Sequence, residues 1–571
     1  MEENTENYTE ISGEEFKAIL RGEKLEYVTV DSSRFPPQTF ININNLKVKQ
    51  PIYIDTELLN FDLKFTSGFF EEINFTEVFY KDEYEDVAEI MSDELKKPKI
   101  RNYKKARAIE IEGGTFNSLN IYSGFFEYFF IKGGIFGLFH IEECLFEGKF
   151  NINNGTFQDI LISGGKFQDI WVLEGSIEDF FLTNGVFRNI QFGDYYIEEI
   201  PLKTNRIILT GGTCDNISFD GLESKEYIRL SGTTVFNSCK LRYGKYKYIM
   251  VEELKSENIS IWLSDKMFID TIGFNLPKAK NISIYGGYVW NTLNVLQFIR
   301  VNINNGILIK IDDIYIHRII FDNCVNAGNI IFSGVKSKKL EGISPTLKIH
   351  NSDLGKTTFI DCDFEGMELD FKSSKITEVF LAGTKMPKDI TTDDNEQKRL
   401  GYGQLKKIYD NRGDTVTANE YFAREMNVLY DQTKWSDVPF WKNPIKWLWR
   451  FSREKINLFF NKISSNHGTS WGRALWVTVG FAGFFYWLYC LSLSIYPAFP
   501  TWDKWENFGE YMSYFIEFIN PFHKADYIAE SLGLNSKING WTRFIDGGSR
   551  IINSYFIYQL IQAFRKHRRG S

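Results

Sequence analysis

The chain has 571 residues, with 66 Lys+Arg against 74 Asp+Glu and a formal net charge of −8, which is long enough for more than one domain. Forty-four Gly with only 13 Pro exclude collagen-like and proline-rich disordered chains. Charge is uneven: residues 1–100 hold 11 basic and 22 acidic side chains, whereas residues 432–571 hold 17 basic and 9 acidic, an asymmetry that points to a membrane or nucleic acid at the rear and away from a small monomeric enzyme.

The start, MEENTENYTE, lacks the basic and apolar regions of a secretory signal. Six scattered Cys, none in CxxC or Cys/His spacing, are expected to be reduced structural thiols, with no metal site. No HExxH, GxSxG, P-loop or Rossmann fingerprint is present. No catalytic residue, enzymatic activity or cofactor is therefore expected. The acidic pairs Asp361/Asp363 and Glu142/Glu143 are read as solubilising surface charge.

Residues 1–24 are expected to be an acidic tail or cap, and residues 25–80 a first short stack of coils. The charged stretch KDEYEDVAEIMSDELKKPK between Phe79 and Ile100 reads as an inserted helix or loop. Residues 1–100 thus form one region.

From Ile111 large apolar residues recur every five positions: Ile111, Phe116, Ile121, Phe126, Ile131, Phe136, Ile141 and Phe146. One extra residue intervenes, and the count resumes at Ile152, Phe157, Ile162, Phe167, Val172, Ile177, Leu182, Phe187 and Phe192. Neither a helix of period 3.6 nor a flat strand of period 2 sustains this spacing. Two residues before each centre, small and large side chains alternate: Gly114, Leu119, Gly124, Phe129, Gly134, Phe139. Such alternation fills a narrow coil without voids. The seven rings Phe116, Phe126, Phe136, Phe146, Phe157, Phe167 and Phe187 are the predicted core. The spacing returns at Ile349, Leu354, Phe359, Phe364 and Leu369, and is intermittent over residues 200–348.

This five-residue text, with Gly113-Gly114-Thr115-Phe116 and Gly133-Gly134-Ile135-Phe136 as its clearest statements, resembles the pentapeptide-repeat family. The resemblance implies a mainly β chain, wound as a right-handed quadrilateral β-helix of about four pentapeptides per coil. The β-helix is expected over residues 101–390.

After Met386-Pro387 the spacing stops. Residues 391–432 are predicted as a helical hairpin, with Leu400, Leu405, Ile408 and Tyr409 on its first helix and Ala418, Phe422, Met426 and Leu429 on its second. Asn411-Arg412-Gly413-Asp414 forms the turn.

Residues 433–473 interleave Trp435, Trp441, Trp447 and Trp449 with Lys and Arg. That mixture suits nucleic acid or a bilayer surface. The charge-free stretch from Ala474 to Thr501, long enough to cross a hydrocarbon core of about 30 Å, decides for the bilayer, so nucleic acid is not an expected partner. Residues 474–571 are predicted as a two-span membrane domain. The second span runs from Trp541 to Phe564 and ends in Arg565-Lys566-His567-Arg568-Arg569. Positive flanks on both spans place the β-helix and both termini in the cytoplasm.

Asp546, Ser549, Arg550 and Asn553 share one helical face of the second span. They either face a protein interior or lie at the outer headgroups. Between the spans, Glu510 and Glu517 share a face of an amphipathic helix that ends at Asn520-Pro521; they either draw cations or are solvated.

With NPFH and YQLIQAFRK, this section resembles the two-transmembrane, ion-channel-like tail of some bacterial pentapeptide-repeat proteins. The resemblance implies a homo-oligomer in the bacterial inner membrane, with Glu510, Glu517, Arg550 and Asn553 as the candidate ion path. The β-helix would be the arm that binds a protein or small-molecule ligand. The other reading is a non-conducting membrane-tethered scaffold for protein binding.

Overall fold

The computed structural model describes residues 8–31, 38–55, 58, 61–76, 107–194, 202–275, 278–286, 292–304, 306–435, 452–494, 505–524, 526–534 and 538–568. The charged stretch 81–99 and Trp441, Trp447 and Trp449 lie outside them. The chain is mainly β, a solenoid of about 13 turns followed by helices. It divides into two compact units, residues 1–370 with 379–389, and residues 371–378 with 390–571.

Parallel pairing builds the first unit. Phe116 of Thr115–Ile121 pairs with Phe136 of Ile135–Glu142, and Phe136 with Phe157 of Thr156–Ser163. On a second wall Phe126 pairs with Phe146, Phe146 with Phe167, and Phe167 with Phe187. All seven rings are buried. They form two stacked columns, with centroids 5.0 Å apart for Phe116–Phe136 and 4.5 Å for Phe136–Phe157. In the other column Phe126–Phe146 is 5.2 Å, Phe146–Phe167 4.8 Å and Phe167–Phe187 5.3 Å. A coil of about twenty residues returns the same ring to the same place. Each stacked pair adds about 0.5–1.5 kcal/mol to its burial.

The extra residue between Phe146 and Ile152 is absorbed as a bulge. Phe126 pairs with Phe146 but Phe129 with Phe150, so the later strand carries one residue more. Gly148 lies in that bulge, where a Cβ would meet Glu127 O at 2.2 Å. At the corners Gly134 has φ +115°, and a Cβ there would press on Gly114 O and the Phe136 ring at 3.0 and 3.1 Å.

Residues 38–75 are continuous with the later coils. Phe70 pairs with Phe116 and stacks on it at 5.1 Å, so the insertion falls between adjacent rungs of one stack. Ahead of them α1, Gly13–Leu20, starts in a Ser12/Glu15 capping box and buries Phe16, Ile19 and Leu20. Phe16 reaches Phe70 at 5.8 Å. Such a helix closes the open end of a solenoid.

Where the five-residue spacing fades, the coil persists with longer strands, Thr213–Ser231, Thr234–Glu252 and Lys255–Asn275. Their pairing slips at Ser224/Tyr227 and Arg242/Gly244. Arg242 there makes a forked pair with buried Asp220, at 2.9 and 3.1 Å. All six Cys are buried and unpaired with one another.

In the second unit α2, Asn395–Arg412, and α3, Thr415–Gln432, form the hairpin. Gly413 closes α2 in the left-handed region, and the Asp414 side chain accepts from Thr417 N to open α3. Leu405, Ile408 and Tyr409 are buried as the spacing predicts, whereas Leu400 is exposed and its place is taken by Gly401 and Tyr402. On α3 the buried face holds Ala418, Tyr421, Ala423 and Val428, leaving Phe422, Met426 and Leu429 half-buried. Next come α4, Arg453–Ser465; α5, Trp471–Ser492; α6, Trp505–Ile519; α7, Tyr527–Ser531; and α8, Gly540–Arg568.

Candidate functional site

Among the described residues, α5 is the one helix long and apolar enough to cross a membrane. Its 22 residues span about 33 Å at 1.5 Å per residue. α8 runs antiparallel beside it for this whole length. Trp471 stacks on Phe564 at 5.1 Å, Phe481 on Phe556 at 4.6 Å, and Ser492 Oγ donates to Thr542 Oγ1 at 3.0 Å.

The pair buries a row of polar side chains and exposes several large apolar ones. Thr542, Asp546, Ser549, Asn553 and Gln559 of α8 are buried, while Phe544 and Ile551 are 72% and 75% exposed. On α5 Trp476, Phe484 and Trp487 are likewise exposed, and only a third of its apolar window is buried.

α6 packs its Phe518 against Tyr486, Tyr489 and Cys490 of α5, joined by Tyr527 and Ile528 of α7. Tyr486 Oη donates to Tyr511 O at 2.9 Å. Asn520-Pro521 ends α6, as predicted, and the turn delivers His523 into the interior. Its ring stacks on Phe518 at 5.2 Å. His523 Nδ1 lies 2.6 Å from Asn520 O, and Nε2 lies 2.7 Å from Asp546 Oδ1. Asp546 Oδ2 is 3.0 Å from an Arg550 guanidinium nitrogen, which is close enough for an ion pair but not aligned as a hydrogen bond. Asn553 is fully buried; its Nδ2 donates to Phe518 O at 3.3 Å, and its Oδ1 has no partner.

The structure therefore turns Asp546 and Asn553 into the interior, with Arg550 paired to Asp546, and leaves Glu510 and Glu517 on the exposed side of α6. Both glutamates are exposed on α6, and Glu510 Oε1 accepts from Tyr514 Oη at 2.9 Å. Trp435 is half-buried, packed on Phe459 at 5.6 Å and edge-on to Tyr430 at 6.5 Å. His523 is the member of the cluster that sequence reading missed: NPFH marked its turn, but its partner Asp546 lies 23 residues onward.

On the solenoid, an open groove is lined by Glu223, Ser224, Lys225, Lys245, Lys247 and Asp270, where the coil's pairing slips. Among the described residues no three metal-ligating side chains come together. Compared with known proteins, the chain matches no family model, no curated protein and no solved structure.

Proposed function

We propose that the protein is a two-pass membrane protein, with α5 and α8 as its spans and the solenoid as a cytoplasmic binding arm. The observation that carries this reading is the α5–α8 pair, in which Asp546, Ser549, Asn553 and Gln559 turn inward while Phe544, Ile551, Trp476, Phe484 and Trp487 face out. Exposed rings on that scale suit lipid, and Asp546 and Arg550 at that depth need protein around them. Because the two helices run side by side over their full length, a crossing by one carries the other across. Lys455, Lys462, Arg473 and Arg565 flank the same end of the α5–α8 pair, which by the positive-inside rule supports a cytoplasmic side for that end in a bacterial inner membrane. The coil of about twenty residues supports a pentapeptide-repeat-like, quadrilateral solenoid, and its groove at Lys225, Lys245 and Asp270 is where the arm would take a ligand. Fractionation tests the anchor: the protein should resist alkaline carbonate and dissolve in detergent, and release by carbonate would overturn it.

A second reading, an oligomeric ion-conducting pore, is favoured by Glu510 and Glu517. These carboxylates are exposed on a helix packed against a span, and carboxylates at that level face water or another copy of the chain rather than lipid. Two spans enclose no water path alone, so conduction requires several copies. Planar-bilayer recordings test it: currents whose ion preference changes in E510Q/E517Q support the pore. A reconstituted protein that never conducts leaves the tethered scaffold.

A further inference from the structure

Four lysines converge on two rings of α3. Lys406 of α2 and Lys566 of α8 place Nζ 4.5 and 4.3 Å from the centre of the Phe422 ring. Lys455 and Lys462 of α4 lie 3.4 and 4.5 Å from the centre of Tyr430. Ring faces attract cations modestly, by about 0.5–2 kcal/mol, and do nothing to cancel repulsion between the ammonium groups themselves. In the turn from α4 to α5, the His467 carbonyl oxygen accepts from Lys566 Nζ at 3.0 Å.

The charges are poorly compensated at the centre. Burial, then Lys462, then Lys566 push His467 down to about 4. Burial and then Lys406 lower Lys566. Carboxylates act at the margins, Asp431 on Lys455 and Glu425 on Lys406, but among the described residues none acts on His467 or Lys566. Independently, two buried polar atoms at the end of α4 and in this turn have no partner among the described residues: Nε2 of His467, which is 5% exposed, and Oγ of Ser464, which is 1% exposed. Buried polar atoms of this kind are normally satisfied, so each one implies a missing partner.

We propose that this junction binds a phosphate group, held by Lys462, Lys566, the Nε2–H of His467 and the hydroxyl of Ser464. A phosphate brings negative charge where cations repel and oxygen acceptors where two donors lack them. Trp471 opens α5 four residues after His467, so the site lies at headgroup depth on the inner leaflet; that placement rests on the membrane reading proposed above. The phosphate comes either from an anionic phospholipid or from solution. In either case it ties the end of α4 to the inner ends of α5 and α8, beside the α3 rings on which the lysines rest, which makes occupancy a means of coupling the hairpin to the spans.

The test is thermal unfolding of the full-length protein in neutral detergent with inorganic phosphate or chloride at matched ionic strength. A parallel series uses nanodiscs of phosphatidylcholine with and without phosphatidylglycerol. A rise in Tm with phosphate alone assigns the dissolved ion, and a rise only with phosphatidylglycerol assigns the headgroup. No rise in either series overturns the site. The K462Q/K566Q variant should lose the response while its basal Tm rises, because the repulsion is relieved. A fall in basal Tm with the response retained would mean that the lysines only pack. The detergent series does not depend on a membrane crossing, so carbonate release together with a phosphate response would defeat the two-pass reading and leave the anion site standing.

Discussion

His523 Nε2 lies 2.7 Å from Asp546 Oδ1 while its Nδ1 lies 2.6 Å from the Asn520 carbonyl oxygen. A carbonyl only accepts, so Nδ1 carries a hydrogen and donates to Asn520, while Nε2 faces the carboxylate. The pair is a closed hydrogen-bonded clamp that fastens the end of α6 to α8. Asn553 Nδ2, donating to Phe518 O, is its second fastening.

Breaking that clamp from the carboxylate side should be costly. Asp546→Ala leaves the buried His523 Nε2 without its partner and Arg550 without its carboxylate, and should destabilise the helical unit by about 3–5 kcal/mol. Asp546→Asn keeps one hydrogen bond to His523 and should lose less. Denaturant unfolding in detergent, followed by the aromatic signal of Tyr486 and Tyr489, separates the two; equal stability of Asp546→Ala and wild type would refute the clamp.

The ring columns predict a contrast on the solenoid. Phe136 is fully buried, stacked on Phe116 and Phe157, so Phe136→Ala should cost about 3–5 kcal/mol. Phe380 is 60% exposed, and Phe380→Ala should stay within about 0.5 kcal/mol. Urea unfolding read by circular dichroism in the β region makes the comparison.

Gly148 and Gly472 should respond oppositely to the same methyl group. Gly148→Ala drives a Cβ onto Glu127 O and should destabilise by about 1–3 kcal/mol. Gly472 sits in α5 with nothing within 4 Å of its added Cβ, so Gly472→Ala should leave stability unchanged or raise it by up to about 1 kcal/mol. Thermal melts of the two variants in one detergent decide the point.

Acid should weaken the fold through His467. Its folded value is depressed to about 4 by burial, Lys462 and Lys566, below the value of about 6.5 of an unfolded histidine. As pH falls from about 6.5 to 4 the unfolded chain takes up a proton that the folded chain refuses, and stability is lost across that window. Above it the contribution is flat. His467→Asn should remove this component, visible as a shallower stability–pH curve than wild type between those limits.

The coil was legible in the sequence because each coil of about twenty residues accommodates the five-residue spacing, so burial repeats in step with the chain. Its middle was not, because long strands with slipped pairing, as around Arg242 and Asp220, replace the regular text. On α3 the spacing chose Phe422, yet that ring is given to two lysines and Tyr421 is buried instead. The shared face of Asp546, Arg550 and Asn553 could be read from helical periodicity alone. The pairing with His523 could not, since it depends on how the turn after α6 folds back. Glu510 and Glu517 share the predicted face, but no local signal tells whether that face meets water or protein.

The central claim, that α5 and α8 both cross a bilayer, is tested most directly by labelling intact cells with a membrane-impermeant maleimide. The six native Cys are buried and give a low background. Lys524→Cys, between the spans, should label from outside, whereas Lys407→Cys on α2 should label only after the cells are opened. Labelling of Lys524→Cys only after opening, matching Lys407→Cys, would contradict the two-pass account.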